Sequence, residues 1–221
     1  MINKIYYWFH RLTSKTEQRG QYSAGHWQEK VRQEALSLCR DTKGRVLDVG
    51  CGEGLFLVQL KAQNPALEIW GIDNNALRIE EAKRKCKGKN FQNINLTLED
   101  SSKLNFEDEY FDTIVCINMF FNLRSFALIK QTLQELKRVC KKTGRIIFDF
   151  RNRNNPLLLF KYSLARFYDS TVKGLPLKTY SPGQIQSLLK DLGLEIVEKK
   201  FIGSPLKNFA AVIVLEVRRQ C

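Results

Sequence analysis

Short apolar runs alternate along this chain with longer stretches in which apolar residues return every three or four positions. Strands are predicted for the run that opens at Arg45, for Leu67–Ile72, Ile94–Leu98, Phe111–Ile117 and Arg145–Phe150, and for a closing pair, Leu194–Ile202 and Asn208–Val217. Helices are predicted between them: Leu55–Gln63 ahead of Asn64-Pro65, a segment from Asn74 or Asn75 to Gly88, and one opened by Ser125 with Ile129, Leu133, Leu136 and Cys140 inward. Ser181-Pro182-Gly183-Gln184 supplies a cap residue, proline at the first turn and glutamine at the third helical position, so a further helix starts there and ends at Gly193. Such regular alternation predicts a parallel, doubly wound sheet. Gly203-Ser204-Pro205 is short enough to make the closing strands an antiparallel pair.

Two stretches depart from this rhythm. Residues 151–180 separate a strand from its next helix by too much chain for a simple connection, and they include an apolar-aromatic helix around Leu157–Tyr168, so a lid is expected there. At the other end, residues 1–40 read as a helical cap ahead of a main unit at 41–221. Its first helix is basic and amphipathic (Ile2, Ile5, Tyr6, Phe9 and Leu12 with Lys4, Arg11, Lys15 and Arg19), suited to an anionic membrane surface or to covering a pocket. Its second, Gln21–Arg40, carries Trp27, Val31, Ala35 and Leu38 as an apolar stripe.

The sharpest local signal is Arg45-Val46-Leu47-Asp48-Val49-Gly50-Cys51-Gly52-Glu53-Gly54-Leu55, a strand that turns through glycines at alternate positions into a helix. Glycine lets backbone N–H groups approach a ligand that a Cβ would hold off. In a doubly wound sheet, ligands sit beyond the carboxyl ends of the strands, so Gly50–Gly54, Asp73-Asn74, Asp100-Ser101 and Cys116–Asn122 converge on one crevice. Asp73 is placed to accept hydrogen bonds from both hydroxyls of a ribose, and Asp100 and Ser101 to read an adenine edge. Asp48 lies within an apolar strand, where an unpaired carboxylate is costly; it should be tied to the turn's backbone or to a positive group on the ligand.

Composition narrows the classes. The 221 residues are 43% hydrophobic, which excludes a disordered chain, and the net charge of +13 favours anionic partners such as nucleic acid or acidic lipid. The six cysteines show no C-x-x-C pair, and the only histidines are His10 and His26, so no metal site is expected. With no segment resembling a signal peptide or a membrane span, a reducing, cytoplasmic location is expected, with peripheral membrane contact through residues 1–20 left open.

Val46–Gly54 closely resembles the first motif of the class I S-adenosylmethionine-dependent methyltransferases. Gly71-Ile72-Asp73, Glu99-Asp100-Ser101 and Phe111–Cys116 resemble the second, third and fourth motifs, and Leu136–Arg145 resembles the helix and turn that follow. The resemblance implies a Rossmann-like α/β fold, a seven-stranded sheet with the last strand antiparallel. It also implies S-adenosylmethionine held by Asp48, Gly50, Cys51, Gly52, Gly54, Asp73, Asn74, Asp100, Ser101, Cys116 and Ile117. A nicotinamide dinucleotide site ranks behind, because its G-x-G-x-x-G needs the third glycine one position later, where this chain has Leu55.

Asn118-Met119-Phe120-Phe121-Asn122 lacks the prolines of the nucleobase and amide N-methyltransferases, and a cap after the fifth strand resembles the small-molecule enzymes similar to those of ubiquinone biosynthesis. The leading expectation is C- or O-methylation of a small apolar or amphiphilic acceptor, with Tyr22, Trp27, Phe120, Phe121, Arg151, Tyr162 and Arg166 as candidate acceptor-side residues. No general base is assigned. The alternatives are an RNA or ribonucleoprotein methyltransferase using the basic surface, and a cofactor-binding scaffold without turnover.

Overall fold

A computed structural model describes residues 26–168 and 176–220, with side chains described for 27–163 and 176–220. The elements, in order, are α1 (His26–Leu38), β1 (Arg45–Val49), α2 (Leu55–Gln63), β2 (Glu68–Asp73), α3 (Ala76–Gly88), β3 (Ile94–Leu98), β4 (Phe111–Cys116), α4 (Phe126–Val139), β5 (Cys140–Arg151), α5 (Pro156–Tyr168), α6 (Pro182–Asp191), β6 (Leu194–Ile202) and β7 (Val212–Arg219). The strands form one seven-stranded sheet in the order β3-β2-β1-β4-β5-β7-β6. β1 to β5 run parallel, and β7 is antiparallel to both of its neighbours.

Strand alternation divides the core between the two faces of this sheet. Leu47, Val49, Ile114, Ile146, Phe148 and Phe150 pack with Ile129, Leu133 and Leu136 of α4 and Ile185, Leu188 and Leu189 of α6. Val46, Ile69, Val115, Ile147, Val212 and Val214 face Val31 and Ala35 of α1, Phe56, Leu57 and Leu60 of α2, and Ile79 of α3. Each such apolar side chain, taken wholly out of water, contributes about 1.5–3 kcal/mol before chain entropy is counted. Three helix starts carry the caps their sequences predict. Asn75 accepts from the Leu77 and Arg78 N–H groups, Ser125 accepts from Leu128, and Ser181 with Gln184 closes a reciprocal capping box.

Several boundaries differ from the sequence expectation. Thr143-Gly144 lies inside β5, not in a turn before it. The register between β4 and β5 jumps from Phe111↔Cys140 to Thr113↔Arg145, so the extra residues are taken up as a bulge. Cys140 accordingly opens β5 instead of closing α4. β7 begins at Val212, because Lys207–Phe209 coil into a short 3-10 turn first. The described part of the second predicted helix spans His26–Leu38, and the basic segment at residues 1–20 lies outside the described residues.

The two ends of the 151–180 insertion meet at the sheet. Asn152 bridges to Tyr180 in parallel, the Tyr180 N–H donates to the Arg151 carbonyl at 2.8 Å, and the Lys178 N–H donates to the Phe121 carbonyl at 2.8 Å.

Candidate functional site

Chain order reverses between β1, whose successors step outward to β3, and β4, which begins the other half of the sheet. The crevice beyond the carboxyl ends of these two strands is where open α/β sheets take their ligands. The turn after β1 is fastened to β2, with the Gly50 and Cys51 N–H groups both donating to the Ile72 carbonyl at 2.8 and 2.9 Å. The three glycines do different things. A Cβ at Gly50 would meet the Met119 side chain at 3.0 Å, and one at Gly54 would meet Ala82 at 3.0 Å, so these two permit close packing. Gly52 has φ +55°, and a Cβ there would meet nothing within 4 Å. It faces open space over the turn.

Asp73 closes the next side of the crevice. One carboxylate oxygen accepts the Gly52 N–H and the other the Asn75 N–H, each at 2.9 Å, so the side chain joins the glycine turn to the start of α3. The Arg78 guanidinium lies 4.0 Å from the oxygen that accepts from Gly52, and a carboxylate oxygen has two acceptor positions. The exposed Asn74 sits beside it. The Glu99 N–H donates to the Asp73 carbonyl, which brings Asp100 and Ser101 to the same rim. Asp100 accepts from the Ser102 N–H at 2.8 Å and its hydroxyl at 2.7 Å, and these bonds hold its carboxyl below the usual range. Ser101 Oγ lies 3.4 Å from Thr132 Oγ1.

Asp48 is the electrostatic outlier. It is 2% exposed, and its Oδ2 has no hydrogen-bond partner. Burial, with a smaller contribution from the Asp73 charge, pushes its carboxyl up to about 8. The expected tie to the turn's backbone is therefore not made by Oδ2.

On the β4–β5 side the candidate residues come together, but as partners of one another. The Arg151 guanidinium donates to Asp149 Oδ2 and to Asn118 Oδ1, each at 2.9 Å, lies 4.5 Å over the Phe121 ring, and hydrogen-bonds the Tyr162 phenol. The Asn118 N–H donates to the other Asp149 oxygen, and its side-chain amide reaches the Gln28 carbonyl of α1. Asn118 holds φ +57°, a conformation that asparagine tolerates better than most residues. Burial raises the Asp149 carboxyl, while Arg151 and the Asn118 N–H oppose the rise. Burial likewise raises the Tyr162 phenol.

Three sequence expectations are corrected by this geometry. Arg151 is buried in an ion pair, so its charge is matched inside the protein and not offered to an acidic acceptor. Phe120 has no exposed surface and packs on Phe148 at 5.2 Å between centroids; it belongs to the core. Phe121 is also buried, and the cation on its ring is Arg151. Cys116 and Ile117 do line up at the end of β4, but both side chains are buried, Cys116 Sγ lying 3.8 Å from Met119 Sδ. Cys51 is buried in the same way. Trp27 packs, partly buried, against the core cluster that includes Val31, Ile202 and Ala211, with the Lys161 ammonium 4.7 Å over its ring. Tyr22 and the Arg166 side chain lie outside the described residues. Asp149 was missed by the sequence reading; its signal was an acid two positions before Arg151 on one strand face.

Comparison with known proteins decides the family. The family described as Methyltransferase domain matches residues 40–193. The chain belongs to the class I S-adenosylmethionine-dependent methyltransferases. Among curated relatives, it is 28% identical to a phosphatidylethanolamine N-methyltransferase of Cereibacter sphaeroides over 80% of this chain and 83% of that one. It is 33% identical to a demethylmenaquinone methyltransferase of Deinococcus radiodurans, but that match spans 55% of this chain and about half (47%) of the relative. The fold is shared with magnesium protoporphyrin IX methyltransferase from Synechocystis, solved with bound SAH (TM-score 0.70, 16% identity, 98% and 95% coverage). PH0226 from Pyrococcus horikoshii gives a TM-score of 0.71 at 19% identity, over 93% and 94% of the two chains.

S-adenosylmethionine is the cofactor of this methyltransferase, and two features of the crevice fit it. The orphaned Asp48 oxygen is suited to a cationic ligand, and the open space over Gly52 leaves the turn's backbone accessible.

Proposed function

We propose that this methyltransferase transfers the methyl group to a small apolar or amphiphilic acceptor bound on the β4–β5 side of the crevice. S-adenosylmethionine supplies a methyl already activated by positive sulfur, so the protein's principal task is alignment. In this reading the methionine part lies on Gly50–Gly54, and Asp48 answers the cofactor's positive charge. The remaining acceptor positions of Asp73 take the ribose hydroxyls. Asn74, Asp100 and Ser101 flank the adenine, and Cys116 and Ile117 contribute backbone and apolar surface. The Asp149–Arg151–Asn118 cluster acts as a rigid, internally neutralised floor for the acceptor.

The observation that carries the acceptor class is α5. It leaves β5 directly beside that cluster, and Leu157, Leu159 and Phe160 remain exposed on it. The names of the relatives point the same way, since phosphatidylethanolamine and demethylmenaquinone are both amphiphilic or apolar. The former adds nitrogen to the carbon and oxygen acceptors expected from sequence.

The test is to incubate the protein with methyl-labelled S-adenosylmethionine and an extract of its own source, then fractionate the label. Label entering the organic phase, and lost in Asp73→Asn, is the expected result. Nuclease-sensitive label would overturn the reading and make the basic surface the acceptor site.

A further inference from the structure

The apolar residues exposed on α5 do not stand alone. Asn155 donates its side-chain amide to the Phe209 carbonyl, and Asn152 donates to the Asn208 and Ala210 carbonyls at 3.0 and 2.9 Å. These bonds clasp the start of α5 to the β6–β7 loop. Farther along, Lys161 lies over Trp27, whose Nε1 is 3.0 Å from the Cβ position of Gly203. Helix and loop therefore run side by side.

Their outer surface is apolar where a surface is ordinarily polar. Leu157 is 74% exposed, Phe160 66%, Leu206 64% and Phe209 48%, while Leu158 alone of the first apolar residues of α5 turns fully inward. The charged residues of the described segments 151–163, 176–181 and 203–211 are Arg151, Arg153, Lys161, Lys178 and Lys207; none is acidic. Projecting leucine and phenylalanine side chains flanked by the exposed Arg153, Lys161, Lys178 and Lys207 match a bilayer that offers acyl chains beneath anionic headgroups. Scattered exposed apolar residues are ordinary, but a contiguous patch with one sign of charge marks an interaction surface. The chain's +13 charge adds long-range attraction to the same partner.

We infer that the α5 face and the β6–β7 loop form a docking surface for an anionic phospholipid bilayer, with Leu157, Phe160, Leu206 and Phe209 entering the headgroup–acyl boundary and Lys207 and Arg153 meeting lipid phosphates. Leu157 and Phe160 also support the acceptor class proposed above, but the docking inference stands without it. A bilayer-docked enzyme could act on a membrane-resident acceptor, but docking and acceptor identity are separate statements.

The experiment uses the full chain in flotation with vesicles of phosphatidylcholine alone and of phosphatidylcholine with phosphatidylglycerol, at low and high salt. Binding is expected only with the anionic lipid, falling as salt rises. The variant Leu157→Gln/Phe160→Gln/Leu206→Gln changes only exposed side chains, and glutamine preserves helix propensity in α5. It should weaken vesicle binding roughly tenfold or more, each lost apolar contact contributing, while S-adenosylmethionine affinity and unfolding temperature stay unchanged. Lys207→Glu should steepen the loss at low salt. The proposal is overturned if the parent ignores anionic vesicles, or if it binds them equally well with and without the three apolar side chains, which would move the contact to another segment such as residues 1–25. A concentration-dependent dimer in the parent that the triple variant abolishes, without vesicle binding, would also overturn it and assign the patch to a second copy. Label transfer to nucleic acid would refute the acceptor reading and leave this one standing.

Discussion

Asp48→Asn gives the most direct reading of the crevice. In the folded chain the Asp48 carboxyl titrates at about 8, against 3.8 for the ordinary group. Below 3.8 the group is neutral in both folded and unfolded chains, and its pH-linked contribution is zero. Between the two values the unfolded chain has released the proton and the folded chain retains it, so stability falls as pH rises and levels off above about 8. One pKa unit corresponds to about 1.4 kcal/mol, and the interval sums to an upper bound on the order of 6 kcal/mol. That is a large share of the about 5–15 kcal/mol that holds a domain together.

The asparagine variant has no such titration. Its unfolding free energy, less that of the parent, should rise in the variant's favour by about 1.4 kcal/mol per pH unit from roughly pH 5 to pH 8. Urea unfolding followed by circular dichroism measures this directly. Groups common to both chains, Asp149 included, cancel in the difference. S-adenosylmethionine should reduce the slope in the parent, because a cationic ligand favours the charged carboxylate. A difference that stays constant over this range refutes the reasoning, for it would mean that Asp48 is solvated and its unpartnered oxygen costs nothing.

Two further substitutions address the glycine turn and the buried Asp149–Arg151 pair. Gly52→Val imposes a β-branched side chain at φ +55° and fills the open space above the turn; a loss of about 1–2 kcal/mol and abolished cofactor binding by calorimetry are expected, and retained affinity would remove Gly52 from the cofactor surface. Arg151→Leu strands the Asp149 charge and should cost about 3–5 kcal/mol, whereas Asp149→Leu/Arg151→Leu should recover much of that. Additive effects in this double-mutant cycle would show that the 2.9 Å pair carries no coupling.

Most of the architecture was legible because it is written in periodicity. The strand–glycine–helix unit at Arg45–Gln63, the caps at Ser125 and Ser181, and the alternation that makes a parallel sheet are all local signals. What failed was the assignment of partners. An aromatic run after β4 reads equally as a ligand wall or as core, and only tertiary packing puts Phe120 against Phe148. Arg151 looked available because its countercharge, Asp149, was passed over within an apolar strand. Thr143-Gly144 has the composition of a turn, yet the bulge against β4 lets both residues remain in β5. Asp48 was readable as a problem, since a carboxylate in a buried strand needs an answer, and in the structure its Oδ2 has no hydrogen-bond partner.

The insertion of β7 between β5 and β6 also sets an order of assembly. The strands that carry the glycine turn, Asp73 and Asp100 find their neighbours among elements close to them in the chain. β5 cannot complete its pairing until β7 has been made, and Asn152 lacks the carbonyls of Asn208 and Ala210 until the same moment. During synthesis the β1–β3 side of the crevice can mature while β5 still presents an open apolar strand edge. A chain stalled before Val212 would thus keep one edge of β5 unpaired, and that edge would be the surface most in need of a chaperone.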